Sequence, residues 1–342
     1  MGKCGTIAIM GGGSWATAIA KMMLEGNDSI HWYMRRDDRI EEFQRLGHNP
    51  AYLTSVHFDV NRIKFSSDIN KIVEEADTLI FVTPSPYLKS HLKKLKVKLR
   101  DKFIVTAIKG IVPDENLVCT EYFHHVYGVP EDNLAVLGGP SHAEEVSRGI
   151  PTTNVVAASS EDIANKIQDM IMNPLFRIYT NLDMLGVELG GSLKNVIALC
   201  AGVLDGLNMG DNTKAALITR GIVEISRLGV AMGANPETFN GLSGIGDLIV
   251  TCSSMHSRNR RAGILIGQGK SCEEATAEVK MVVEGVKTCH AAKQLADKVG
   301  VEMPIVNEAY KVLFEGMPVK DAIPNLMSRD KKHETEKAFL NI

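Results

Sequence analysis

The sequence predicts an α/β first half, built as a doubly wound parallel sheet, followed by an all-helical second half. Three observations carry this. Short apolar runs alternate with segments of helical spacing through roughly the first 183 residues, a triple glycine joins the first such run to an alanine-rich helix, and strand signals fade beyond residue 184.

The alternation comes first. Runs at residues 6–10, 30–34, 78–83, 103–108, 134–137 and 154–157 are apolar, often β-branched, and end in Gly, Pro, Ser or charged residues. Helical spacing fills intervals such as 14–25 and 86–99. Continuously apolar strands imply a parallel sheet covered on both faces. In the second half, residues 187–207 and 214–232 place apolar side chains at three- and four-residue intervals, which predicts helices. Helix ends are expected at Gly206, Gly210, Gly233 with Pro236, Gly300 with Pro304, and Gly316 with Pro318. The expected boundaries are therefore 1–183 for the α/β domain and 184–342 for the helical one. The charged tail 328–342 is expected to fray.

Composition narrows the function classes. A chain of 342 residues is about twice a typical 150-residue domain, so two cores can be buried. Hydrophobic residues make up 44% and charged ones 23%, which excludes disordered and collagen-like chains. The 38 basic and 41 acidic residues are interspersed, leaving no basic arm for a nucleic-acid backbone. Small-molecule partners fit better. Six cysteines form no CxxC pair and are expected to be reduced thiols, with no metal site. The apolar start is too short for a signal segment, and no run of about 18 apolar residues occurs, so a cytoplasmic location without a transmembrane segment is expected.

After the first strand comes Gly11-Gly12-Gly13-Ser14-Trp15-Ala16, a GxGxxA form of the dinucleotide fingerprint at a strand-to-helix turn. Gly11 permits the tight turn, Gly13 lets a pyrophosphate approach the backbone, and Ala16 keeps the helix close to the sheet. A plain glycine-rich turn is the bland alternative. The second strand ends in Arg35-Arg36 where an acid would accept from an adenosine 2′-hydroxyl. Two cations suit a 2′-phosphate and favour NADP(H); Asp37 and Asp38 keep NAD(H) open, and solvated loop arginines are the alternative.

A nicotinamide enzyme acting on a carbonyl needs a proton donor and groups that hold the rest of the substrate. Lys109-Gly110 and Gly138-Gly139-Pro140-Ser141-His142-Ala143 follow carboxyl ends of strands, where open α/β sheets bind ligands. Lys194 and Asn195 interrupt an apolar helix in Gly190-Gly191-Ser192-Leu193-Lys194-Asn195. Desolvation there would let Lys194 exchange a proton; snorkelling to the surface is the competing reading. Asp247 follows Gly244-Ile245-Gly246, and Ser257-Arg258-Asn259-Arg260-Arg261 gathers donors that fit an anion clamp or, more plainly, a solvated basic loop.

Taken together, GGGSWATA, the double arginine, Asn49-Pro50-Ala51-Tyr52-Leu53, Ile108-Lys109-Gly110-Ile111, GGPSHAEEV, GGSLKNVIAL, GIGDLIVTC, SRNRRAG and Val282-Val283-Glu284-Gly285 resemble the bacterial-type NAD(P)-dependent sn-glycerol-3-phosphate dehydrogenase family across nearly the whole chain. The resemblance implies a Rossmann-type first domain, with a second domain like the C-terminal domain of 6-phosphogluconate dehydrogenase. It implies that Lys194 is the catalytic proton donor and acceptor, and that Lys109, Gly139, Ser141, Asp247, Ser257, Arg258 and Asn259 join it around substrate. Cofactor contacts would come from Gly11, Gly13, Ser14, Trp15, Arg35, Arg36, Lys109, Ala143, Arg258, Val282 and Glu284. The implied role is reversible reduction of dihydroxyacetone phosphate in the cleft between the two domains, supplying glycerophospholipid synthesis, commonly as a homodimer. Two departures are visible: Ala16 stands where the family usually has a third glycine, and Thr54-Ser55 replaces Pro-Gly after Leu53. A related hydroxy acid dehydrogenase and a non-catalytic NADP(H)-binding sensor are the competing functions for this fold.

Overall fold

A computed structural model describes residues 5–334. It divides into two compact units, one ending at Glu188 and the other beginning at Leu189. The first unit runs β1 (Ile7–Met10), α1 (Ser14–Gly26), β2 (Ile30–Tyr33), α2 (Asp37–Leu46), β3 (Ile63–Ser66), α3 (Ile69–Glu75), β4 (Thr78–Phe81), α4 (Ser85–Leu92), β5 (Phe103–Thr106), α5 (Cys119–Tyr127), β6 (Leu134–Gly138), α6 (Ala143–Val146), β7 (Thr152–Ala158), α7 (Glu161–Ile171) and β8 (Phe176–Asn181). Helix α8 (Met184–Gly206) carries the chain into the second unit, which continues with α9 (Gly210–Ala231), α10 (Asp247–Ser253), α11 (Arg258–Gly267), α12 (Cys272–Val279), α13 (Glu284–Val299), α14 (Pro304–Phe314) and α15 (Val319–Met327).

Among the described residues the sheet has eight strands in the order β3-β2-β1-β4-β5-β6-β7-β8. The strand period of two sorts side chains onto two faces. Ile7, Ile9, Ile80 and Val105 join one core with α1 and α7, whereas Ala8, Met10, Leu79 and Ile104 join the other with α3 and α5. Both faces are covered, as the continuously apolar strands predict.

Three features depart from the sequence reading. The sheet is not wholly parallel, because β6 and β7 pair antiparallel. The one helix between them has four residues and rises about 6 Å, less than the roughly 16 Å of a five-residue strand, so it does not return the chain to the start of the sheet. Strands β3 and β8 are additional and lie at the two edges. In β8, Phe176 and Ile178 are buried while Arg177 and Tyr179 are exposed, so a search for continuous apolar runs passes over it. The helix expected over 86–99 is Ser85–Leu92. Asn70 Oδ1 accepts from the backbone N–H of Lys96 at 2.6 Å and of Val97 at 3.3 Å, donors that a longer helix would spend on its own carbonyls.

The glycine and proline signals in the second half mark real ends: α8 stops at Gly206, α9 starts at Gly210, α13 is capped by left-handed Gly300, and Pro304 opens α14. Of the tail, residues 328–334 are exposed and carry neither helix nor strand; residues 335–342 and Cys4 lie outside the described residues. Helix α8 is long and apolar enough to cross a membrane, and 89% of its apolar window is buried, as in the core helix of a globular unit.

Two helix starts are completed by glutamates from other helices. Glu188 of α8 accepts from Thr120 N at 3.2 Å, from Thr120 Oγ1, and from Thr106 Oγ1 at 3.0 Å, closing the amino end of α5. Glu224 of α9 accepts from Ile305 N at 2.8 Å and Val306 N at 3.3 Å at the start of α14. Burial pushes both carboxyls up to about 7 from 4.5, against the opposing pull of those hydrogen bonds. Between these values the native chain binds more protons than the unfolded one, so stability falls as pH rises through the interval, by roughly 3 kcal/mol per group. The denaturation midpoint is therefore expected to fall between about pH 5 and about pH 7.5. Glu188→Gln and Glu224→Gln should each remove part of that fall, and slopes equal to the parent's in both variants would contradict the assignment.

Candidate active site

In the first unit the glycine turn has the shape its sequence implies. Gly11 has φ of +145°, and a Cβ there would lie 3.2 Å from Thr83 N, so only glycine fits. A Cβ on Gly13 would meet nothing within 4 Å, which leaves open space over the first turn of α1. No side chain caps that turn, no acid occupies it, and the buried Trp15 Nε1 has no partner among the described residues. Open backbone amides, an orphaned donor and a helix amino terminus fit a dinucleotide pyrophosphate. Ala16 is fully buried, so its methyl is accommodated in the contact between helix and sheet. Ser14 opens α1.

The two arginines differ. Arg36 is forked onto Asp38, with Nε donating to Oδ1 at 2.9 Å and Nη2 to Oδ2, while Arg35 is exposed and makes no ion pair among the described residues. Lys109 Nζ donates to Gly139 O at 2.8 Å and Ser141 Oγ at 3.3 Å, so these three predicted positions meet in one cluster. Asn154, fully buried beneath them, donates to Ser141 Oγ at 3.3 Å. Composition and motif gave no hint of it. Ala143 begins α6 and is buried against the core that α1 shares.

In the second unit Lys194 does not snorkel. It is 4% exposed, its Nζ donates to Asp247 Oδ1 and to Thr251 Oγ1, the latter at 2.8 Å, and Asp247 is 1% exposed. Thr251 Oγ1 in turn donates to Asp247 O at 2.5 Å. The π-turn Leu242–Gly246 delivers Asp247 to the start of α10, and the one-turn spacing to Thr251 puts both on one face. Burial alone would favour the neutral amine, whereas the adjacent carboxylate favours the ammonium. Thr251 was missed because an isolated threonine in an apolar helix carries no pattern.

The predicted clamp sits at the start of α11. Ser257 is its N-cap, accepting from Arg260 N at 3.2 Å. Arg258 is half-buried and makes no ion pair among the described residues. Asn259 spends its side chain inside the unit: Nδ2 donates to Asn195 Oδ1 and Oδ1 accepts from Gly285 N, both at 2.8 Å. Its backbone N–H belongs to the first turn, whose amides have no carbonyl partner in the helix. Any contact of Asn259 with an anion therefore falls to the main chain. Arg260 is held by Asp205, with Nε 2.8 Å from Oδ2, and so is not part of the open clamp. Val282 precedes α13, which buried Glu284 opens; Gly285 N is the donor to Asn259. Among the described residues, Cys200 and Cys252 are free thiols that burial pushes up to about 12, and no group of three His, Cys, Asp or Glu side chains could hold a metal ion.

A glycine crossing sets this geometry. A Cβ on Gly263 of α11 would lie 2.0 Å from Leu199 O of α8, and one on Gly202 of α8 would lie 2.0 Å from Arg260 O. The helices touch backbone to backbone, which brings the start of α11 to the turn of α8 that bears Lys194 and Asn195. Gly263→Ala forces them apart and is expected to cost roughly 1 to 3 kcal/mol in denaturant unfolding. Gly26→Ala, where a Cβ meets open space, is the control and should be neutral or slightly stabilising. Equal stability of the two variants would refute the close crossing.

Comparison with known proteins agrees with both units. The family model for the NAD-dependent glycerol-3-phosphate dehydrogenase N-terminus matches residues 6–164, and that for its C-terminus matches residues 183–324. The glycerol-3-phosphate dehydrogenase (NAD(P)+) of Clostridium perfringens is 46% identical over 96% of this chain and 98% of its own. That of Moorella thermoacetica is 47% identical over 97% and 98%. The solved glycerol-3-phosphate dehydrogenase of Coxiella burnetii superposes with a TM-score of 0.88 at 32% identity, covering 95% of this chain and 99% of its own. The chain belongs to the NAD-dependent glycerol-3-phosphate dehydrogenase family.

Proposed function

We propose that the protein catalyses the reversible reduction of dihydroxyacetone phosphate to sn-glycerol 3-phosphate with NAD(P)H. The observation that carries this is a buried lysine, paired with a carboxylate, on a helix crossed at backbone contact by one whose amino terminus bears an arginine with no ion pair among the described residues. A bound nicotinamide supplies the hydride. Lys194 donates a proton to the oxygen that becomes the hydroxyl, and its positive charge stabilises that oxygen before transfer; in oxidation it takes the proton back. Asp247 holds the ammonium in place and supports its charge, and Thr251 fixes the direction of the Nζ. Lys109, with Gly139 and Ser141, orients the reacting end of the substrate.

At the far end Arg258 grips the phosphate, joined by the first-turn amides of α11 at Arg258 and Asn259, with Ser257 holding that turn in shape. Ala143, Val282 and Glu284 line the cofactor. The preference is for NADP(H): Arg35 is open to a 2′-phosphate, whereas Arg36 must first leave Asp38. The family likeness supports the wider reading, a cytoplasmic homodimer that feeds glycerophospholipid synthesis.

The test is oxidation of NADPH and NADH measured side by side with dihydroxyacetone phosphate and with a non-phosphorylated keto acid. Turnover on the keto acid alone would favour a hydroxy acid dehydrogenase, and binding without turnover a sensor. Lys194→Ala should lose most of kcat while cofactor affinity stays, so near-normal turnover would remove it from the reaction. Arg258→Ala should raise KM for the phosphate ester on the order of 10- to 100-fold, from the loss of a charge-assisted contact of roughly 1.5 to 3 kcal/mol; an unchanged KM would take it out of the clamp.

A further inference from the structure

Asn49 opens the loop between α2 and β3 and is 1% exposed, yet no part of the chemistry above uses it. All four of its amide's hydrogen bonds are made. Nδ2 donates to Gly12 O at 3.2 Å and Thr17 Oγ1 at 2.8 Å, while Oδ1 accepts from Ala51 N at 3.0 Å and Tyr52 N at 3.2 Å. The reverse orientation would set an NH2 against two backbone N–H groups, so the network admits one assignment.

These bonds bear on the glycine turn. Three successive carbonyls there are gripped from inside the unit: Gly11 O by Trp32 Nε1 at 2.6 Å, Gly12 O by Asn49, and Gly13 O by Thr17 Oγ1 at 2.9 Å. The peptide bonds of this turn are trans, so each C=O points opposite to the N–H of the next residue. Turning the three carbonyls inward therefore turns the N–H groups of Gly12, Gly13 and Ser14 outward, toward the open space above Gly13. Asn49 acts on the middle peptide directly and on the third through Thr17.

We propose that Asn49 is the positioning residue that aims the backbone N–H groups of Gly13 and Ser14 at the dinucleotide pyrophosphate. It rests on the reading of residues 11–16 as the dinucleotide turn. Without the Asn49 amide, the Gly12–Gly13 peptide is free to rotate, and a convergent set of donors must be ordered at the moment of binding. The cost falls on cofactor affinity, not on proton transfer at Lys194.

The experiment uses Asn49→Ala and Thr17→Val in the full chain, with Gly13→Val as the control that fills the open space. Dissociation constants for NADPH and NADH are read by titration, alongside kcat and both KM values. Asn49→Ala is expected to weaken the tighter-bound nucleotide about tenfold, with kcat at saturation within about twofold and KM for the phosphate ester unchanged. Thr17→Val should weaken it in the same direction by less. A loss of folded protein lowers kcat per mole without moving the dissociation constant, so a normal constant with reduced kcat overturns the proposal. So does parental affinity in Thr17→Val, the measurement that stands if Asn49→Ala does not fold. If Gly13→Val also binds nucleotide normally, the reading of the turn itself is what has failed.

Discussion

The second unit is organised around one constraint: the ammonium of Lys194 is out of water. A buried charge is costly unless it is paired and hydrogen-bonded, and removal of either partner of such a pair destabilises a fold by about 3 to 5 kcal/mol. Asp247 and Thr251 meet the requirement, and both come from one short helix whose first residue is delivered by the π-turn before it. The apolar length of α8 is what makes the lysine costly, and therefore what makes its partners necessary. Charge and hydrogen bonding that hold the ammonium for stability also hold it in one direction, and a directed donor is the form in which a lysine is useful to a carbonyl.

Close backbone contact serves the same end. Helices α8 and α11 cross where glycines remove the side chains, so Arg258 and the first-turn amides of α11 are placed by main chain and not by flexible side-chain packing. Asn259 then joins Asn195 on α8 to Gly285 on α13. A residue type that reads in sequence as a ligand donor is, in its side chain, a brace, and its contribution to an anion is left to the backbone. In the first unit the division is similar. Trp32, Asn49 and Thr17 take the carbonyls of the glycine turn, and the amides that remain face the other way.

Much of the fold and site was legible because the signals are local. Central strands buried on both faces are dominated by apolar side chains, so β1, β2, β4, β5, β6 and β7 stood out, whereas the edges β3 and β8 bury only part of each strand and carried no such run. Gly11, Gly13 and Ala16 are tied to a turn whose geometry only small residues satisfy, and Lys194 was conspicuous as a charge in an apolar helix. Thr251 and Asn154 were not conspicuous, and Asn49 stood out only as a member of a motif with no role attached, since a threonine or asparagine is ordinary on a surface and becomes informative only when shown to be buried. Glu188 interrupts the same apolar helix as Lys194, yet its partner is the start of α5, nearly seventy residues earlier in the chain.

By itself, the amino-acid order determined the alternation of strand and helix, the nucleotide turn and the helical second half, because each depends on periodicity or on sterics within a few neighbouring residues. Tertiary structure alone decided which distant groups are partners: that Lys194 meets Asp247, that Arg260 belongs to Asp205, and that β7 runs against β6. Hydrogen bonds and ion pairs act over about 3 Å, and whether two side chains come that close is set by helix crossings and strand order, which no local window of residues contains.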